Sequence, residues 1–251
     1  MKLRLSLITA VAALGFASPG HAAFINGGFE TGDFTGWTLE HGMNSGTSNI
    51  LFTPGSAGHA YIVGTGDSDP YSPFDAPFEG NYMVRLNEDN PNYDATRISQ
   101  TATMLAGESD VFINWGAVVE DPGHAINEQP RFEIAILRNG QFFAGESHNA
   151  SQGTAGGWQA GPFGPNFSQT YYSSGIFHVG GLVAGDVVTV LMTAIDCSQG
   201  GHSGWAYLDG ISTVQPPTGG GTVPDAGSTA MMLVPVISAM AAFRARSKQT
   251  A

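Results

Sequence analysis

Apolar residues come in short runs along this chain, separated by Gly, Pro, Asn and Asp, and none forms a convincing amphipathic helix. Phe132, Ile134 and Ile136 alternate with Glu133 and Ala135, the period of two that a strand with one buried face requires. Arg138-Asn139-Gly140 follows, then Phe142 and Phe143. Asn-Gly between two apolar runs predicts a tight hairpin. Further strands are predicted at Asn81–Leu86, Thr96–Met104, Asp110–Val119, Ile176–Val179, Val187–Ile195 and Trp205–Ile211, most of them rich in Val, Ile, Phe and Tyr. About eight to ten such strands joined by Gly-rich turns imply an all-β, antiparallel sandwich. The abundance of turn formers (Gly 35, Pro 14) against only 12% charged residues agrees with that reading.

Both ends read as addresses. Lys2 and Arg4 precede an apolar run from Leu5 to Phe16, and Gly20-His21-Ala22 closes it, which is the layout of a secretory signal peptide over residues 1–23. The competing reading, an N-terminal anchor, needs a longer apolar run. Residues 24–214 form the predicted domain, and 215–222 (Gln-Pro-Pro-Thr-Gly-Gly-Gly-Thr) a linker. Val223-Pro224-Asp225-Ala226-Gly227-Ser228-Thr229 then leads into an apolar stretch, Ala230 to Phe243, and a basic stop at Arg244, Arg246 and Lys248. This tail resembles the VPD-type sorting signals of PEP-CTERM proteins, with Ala226 where Gly or Ser is common. The resemblance implies an exosortase, a membrane-embedded cysteine transpeptidase, as partner. It also implies a place at the surface or in the exopolysaccharide matrix or biofilm of a Gram-negative bacterium. An ordinary C-terminal membrane anchor is the competing reading.

Without those ends, four arginines and no lysine face twenty acidic residues, a net charge of −16. Such a domain repels nucleic acid and anionic lipid and attracts cations. Cys197 is the only cysteine, so no intramolecular disulfide forms, and a lone cysteine beside strand residues is expected in the core.

Asn26-Gly27-Gly28-Phe29-Glu30 with Gly36-Trp37, and the closing Trp205-Ala206-Tyr207-Leu208-Asp209-Gly210-Ile211, resemble the first and last strands of galactose-binding-like jelly rolls, which include many carbohydrate-binding modules. Glu120-Asp121-Pro122-Gly123-His124, Gln129-Pro130-Arg131-Phe132 and Asp196-Cys197-Ser198-Gln199-Gly200-Gly201-His202 resemble motifs of an uncharacterised group of bacterial surface modules. The jelly-roll resemblance implies a structural calcium ion held by Glu30 and Asp209, with carbonyls near Asn26 and Gly27. Otherwise Glu30 caps a turn and Asp209 faces solvent.

A second candidate cluster is Glu120, Asp121, His124, Asp196 and His202, whose mixed imidazole and carboxylate groups suit a transition metal better than calcium. Its competing role is backbone hydrogen bonding in Gly-rich turns. The aromatic stretch from Gly156 to Tyr172 is the candidate ligand-facing loop, with Trp158, Phe163, Tyr171 and Tyr172 as contacts unless they cover the core. No G-x-S-x-G, HExxH or Walker pattern occurs. The leading expectation is a non-enzymatic structural or adhesive surface protein. A carbohydrate-binding module is the alternative, and a glycoside hydrolase a distant third.

Overall fold

A computed structural model describes residues 24–46, 50–56 and 58–216. The predicted signal peptide and the sorting motif Val223 to Gly227 lie outside the described residues. Twelve strands are present among the described residues: β1 (Thr38–Met43), β2 (Thr53–Pro54), β3 (Ala60–Gly64), β4 (Tyr82–Leu86), β5 (Asp94–Thr103) and β6 (Val111–Asp121), then β7 (Arg131–Arg138), β8 (Gln141–Asn149), β9 (Gln159–Phe163), β10 (Gln169–Val179), β11 (Val187–Ile195) and β12 (Gly204–Ser212). A 3-10 segment, Ala150–Gly156, leads from β8 to β9. Two six-stranded antiparallel sheets result, ordered β2-β1-β5-β11-β7-β8 and β3-β4-β12-β6-β10-β9. Seven of the eleven connections between consecutive strands cross from one sheet to the other, which makes a jelly-roll β-sandwich. No helix among the described residues is long and apolar enough to cross a membrane.

Alternation builds the first sheet's share of the core. Phe132, Ile134 and Ile136 of β7 point inward with Ile98 of β5 and Val188, Val190 and Met192 of β11. The central strands of the second sheet, β6 and β12, are buried along almost their whole length. Their inward residues (Ile113, Trp115, Ala117, Val119, Ala206, Leu208) join the main core. Their outward Val118, Trp205 and Tyr207 form a second, smaller cluster with Phe74, Ala76 and Met83. A near-continuous apolar run is what a strand covered on both faces requires.

The opening motif is fixed to the last strand. Ile211 N–H donates to the Gly27 carbonyl at 3.1 Å, and a Cβ on Gly27 would stand 2.3 Å from the Ile211 carbonyl oxygen, so only glycine fits there. Trp37 donates its indole N–H to the Asn26 carbonyl at 3.0 Å and stacks on Phe29, ring centroids 5.0 Å apart.

The predicted hairpin joins β7 to β8, with Asn139 (φ 53°) and Gly140 (φ 78°) both left-handed, as a primed turn demands. Asn139 does more than turn the chain. Its Oδ1 accepts from Val187 N–H at 2.9 Å and its Nδ2 donates to Asp186 at 3.1 Å, which fixes the start of β11 beside β7. Strands β1, β2, β3 and β9 were not predicted. Cys197 is fully buried, as expected.

Asn139→Gly keeps the turn geometry but deletes both side-chain bonds. We expect urea denaturation to show a loss of about 1–2 kcal/mol; an unchanged midpoint would show that the bonds add nothing.

Candidate functional site

The loop between β3 and β4 crosses the outer face of the second sheet. Two aspartates organise it locally: Asp67 accepts from Gly64 N–H (2.8 Å), and Asp69 Oδ1 from Tyr71 N–H (2.8 Å). The other oxygen of Asp69 reaches the sheet, where it accepts both the Trp205 indole N–H and the Tyr207 hydroxyl at 2.6 Å each. Both donors lie on β12, two residues apart, and therefore on one face of the sheet. Phe74, from the same loop, packs edge-on against Phe78, Tyr172 and Tyr207 at 5.7–5.8 Å between ring centroids. Edge-to-face rings at this spacing are a favourable arrangement beyond their buried area.

A pocket lies on each side of this loop, and Phe74 lines both. The first, about 460 Å³, is lined by Tyr61, Met83, Tyr207 and Phe74, with Asp67, Asp69, Arg85, Glu88 and Asp89 supplying polar groups. The second, about 590 Å³, lies against Tyr172, Ser173, Ser174 and Gln159. Arg85 differs from the domain's other arginines. Arg97, Arg131 and Arg138 each close an ion pair at 2.7–2.8 Å. Arg85 has only a 3.7 Å contact to Asp89, and its Nε is buried without a hydrogen-bond partner. Its guanidinium lies 5.5 Å from the Trp205 ring centroid. A donor so placed beside aromatic faces and carboxylates is the chemistry of a polar-ligand pocket. Sequence analysis missed this pocket, because its residues come from segments up to about 145 positions apart that no local pattern connects.

Glu30 and Asp209 meet the same short segment at the entry to β4. Glu30 accepts from Asn81 N–H (2.8 Å), Tyr82 N–H (3.1 Å) and Asn81 Nδ2 (2.8 Å). Asp209 Oδ2 accepts from Glu79 N–H at 2.7 Å. Glu30 thus secures a turn, and Asp209, expected to face solvent if it bound no ion, is only 1% exposed. Its Oδ1 is buried with no hydrogen-bond partner. Burial pushes this carboxyl up to about 8, and the charges of Glu79 and Glu30 add to the effect. Glu79 is the member of this group that sequence analysis missed. The two neighbouring carboxylates add negative charge beside this orphaned oxygen, a field that attracts a cation, while both Glu30 oxygens already accept protein N–H groups. The Asn26 and Gly27 carbonyls already accept protein N–H groups, from Phe29 and Trp37 and from Ile211 respectively.

The second predicted cluster divides. Glu120, fully buried near the end of β6, accepts from Ser203 N–H (2.7 Å), Asn166 N–H (3.1 Å) and Asn166 Nδ2 (2.8 Å), and so joins two loops to the strand. Asp121 closes its own turn on Gly123 N–H at 2.9 Å. Asp196 accepts from Gly204 N–H (3.0 Å), Asn92 N–H (3.2 Å) and Asn87 Nδ2 (3.3 Å). Burial nevertheless raises its carboxyl to about 8. These three acids act on the backbone. His124 and His202 do meet, with ring centroids 5.2 Å apart, and Cys197 completes the group in place of the carboxylates. Burial lowers the His202 pKa, which favours the neutral ring.

Of the predicted aromatic contacts, Trp158 is only 3% exposed and packs with Trp115 and His148 in the core, so it offers no face to a ligand. Tyr171 also packs on the main core, whereas Tyr172, the next residue on β10, faces the second pocket. Phe163 is exposed. The four do not share a surface, because the expected loop contains β9 and the start of β10. Two histidines that sequence analysis left unassigned converge on buried Asp94: His41 Nε2 at 2.8 Å from Oδ1 and His59 Nδ1 at 2.9 Å from Oδ2.

No family model and no curated protein matches the chain. Solved structures of similar shape include TmCBM61 in complex with beta-1,4-galactotriose (13% identity, 76% of this chain and 96% of that one, TM-score 0.42). Others are CBM28, a non-crystalline cellulose specific carbohydrate-binding module (11%, 76% and 93%, TM-score 0.35), and the CBM22-1 xylan-binding domain from Paenibacillus barcinonensis Xyn10C (12%, 74% and 88%, TM-score 0.30). At these values the likeness is one of shape.

Asp209 leads to a pH dependence. The folded chain keeps a proton on this carboxyl that the unfolded chain releases near its ordinary value of 3.8. Its contribution is therefore complete below about pH 4 and is lost as pH rises through 8. In EDTA, the unfolding midpoint of Asp209→Asn is expected to fall less between pH 5 and pH 8 than that of the parent chain. Equal slopes would contradict the buried, protonated carboxyl.

Proposed function

We propose that this chain is an exported, non-enzymatic glycan-binding sandwich that holds its ligand in the pocket between β3, β4 and the Asp69 loop. The observation that carries this reading is Arg85: a buried guanidinium Nε without a protein acceptor, in a pocket of about 460 Å³ lined by Tyr61, Tyr207, Glu88 and Asp89. Aromatic faces suit the apolar side of a sugar ring, carboxylates accept its hydroxyl protons, and Arg85 donates to a ring or hydroxyl oxygen. Four acidic residues in the lining and a domain charge of −16 favour neutral or amino sugars over uronates. An adhesive or structural place in a surface matrix follows from holding a glycan while the chain is attached to the cell. The exosortase step rests on the order of Val223-Pro224-Asp225-Ala226-Gly227, apolar stretch and basic stop.

The test is calorimetric titration with neutral polysaccharides, β-1,4-galactan, cellulose and xylan among them. Arg85→Ala and Tyr61→Ala should each weaken binding about tenfold or more, the size of one lost charge-assisted hydrogen bond or ring contact. Phe163→Ala should bind as the parent does. Retained affinity in both pocket variants would reject the pocket.

We further propose calcium as a structural ion at Glu30, Glu79 and Asp209. Calcium should raise the unfolding midpoint, more at pH 8 than at pH 5, and Asp209→Asn should abolish the rise. No calcium response in the parent chain at pH 8 would reject the ion.

A further inference from the structure

Two Gly-containing loops meet at the end of the sandwich where β6 finishes and β12 begins. One follows β6 and carries His124; the other joins β11 to β12 and carries Cys197 and His202. One ligand-capable atom from each of the three side chains falls within 4.8 Å of the others. We propose that His124, Cys197 and His202 bind a zinc-class divalent ion that fastens these loops together.

The spacing fits the ion. With Zn–S of about 2.3 Å and Zn–N of about 2.05 Å, a tetrahedral centre sets sulfur and nitrogen about 3.6 Å apart. The observed separation of Cys197 Sγ from His202 Nδ1 is 3.6 Å. The two imidazoles stand at 80° to each other, as rings arranged around a common point do, rather than stacked. His124 Nδ1 is buried and has no hydrogen-bond partner. A buried nitrogen of this kind is costly unless a proton donor, an acceptor or an ion satisfies it.

The protein builds the site before any ion arrives. Cys197 N–H donates to the His202 carbonyl at 3.0 Å and Gly200 N–H to the Cys197 carbonyl at 3.2 Å, which closes the loop and sets the Cys–His spacing. Gly201 N–H donates to Cys197 Sγ at 3.3 Å, the kind of contact that orients a ligating sulfur. On the facing loop, Gln129 donates to the His124 carbonyl at 2.9 Å and is itself 2% exposed. Glu120 adds a fully buried carboxylate whose charge acts on His202.

The donor set selects the metal. One thiolate and two imidazoles suit zinc, whereas calcium requires oxygen. Three protein ligands on half-exposed loops leave a fourth position for water. The site is also separate from the carboxylates at Asp209. Asp209 pairs with Asn114 near the start of β6, whereas Gly204, next to the proposed site, pairs with Val119 near its end. In a chain with a single cysteine, a metal bridge between loops stabilises the fold as a disulfide would in other exported proteins.

The test is titration of the reduced, purified protein with cobalt(II), followed by zinc, with calcium in excess throughout so that the oxygen site is not the one read. One equivalent of cobalt should produce a thiolate-to-metal charge-transfer band that zinc then abolishes, and zinc should raise the unfolding midpoint by several degrees. Cys197→Ser should remove the band. Because Cys197 is buried, His124→Asn on the half-exposed loop serves as the second variant, and it should weaken cobalt binding at least tenfold. Absence of the band at equimolar cobalt, or a band that persists unchanged in His124→Asn, would overturn the assignment.

Discussion

One carboxylate oxygen shapes the outer face of the second sheet. Asp69 Oδ2 accepts the Trp205 indole N–H and the Tyr207 hydroxyl together, and so ties the β3–β4 loop to the middle of the second sheet. Three features depend on that attachment. Phe74 is held against Tyr207 and Tyr172, the outward residues of β6 and β12 are sealed into a second core, and the sheet's outer face is divided into two pockets. Without the aspartate, two buried donors on β12 would lose their shared acceptor, and the loop would lose its link from backbone turn to sheet.

The same solution recurs elsewhere. A domain with four arginines and twenty acids can pair few of its buried carboxylates with cations, as it pairs Asp186 with Arg138, and it surrounds others with N–H and O–H donors. Glu120 gathers Ser203 and Asn166, and Asp196 gathers Gly204, Asn92 and Asn87. Asp209 departs from this pattern, with one oxygen satisfied by Glu79 N–H and the other orphaned. Arg85 departs from the opposite side, as a cation whose Nε has no acceptor. Both belong to a wider set of buried polar atoms without a hydrogen-bond partner, His124 Nδ1 among them, and these two support readings that involve a ligand.

Strands were legible where burial imposes a period. Val187–Ile195 was predicted with the bounds observed, and the Asn139-Gly140 turn with its partners, because alternation and left-handed turn residues are local signals. Strands β1 and β9 were hidden: Thr38–Met43 and Gln159–Phe163 are short, lie towards the sheet edges and are largely solvated, so they carry no apolar period. Glu30, Asp209, His124 and His202 were legible as motif residues, yet their partners were not. Glu79 reaches Asp209 across about 130 residues, and Cys197 entered the histidine pair only once both loops were folded. The aromatic loop misled because Trp158 sits in a Gly-rich stretch that reads as solvated but turns inward beside Trp115.

The most direct test of the account is the side-chain NMR spectrum of Arg85 Nε–H and the Trp205 indole N–H during titration with a bound oligosaccharide. The Arg85 resonance is expected to shift strongly and saturably, while the Trp205 indole, held by Asp69 beneath the pocket, moves little. Saturable binding that leaves Arg85 unmoved and shifts residues of another face would contradict it.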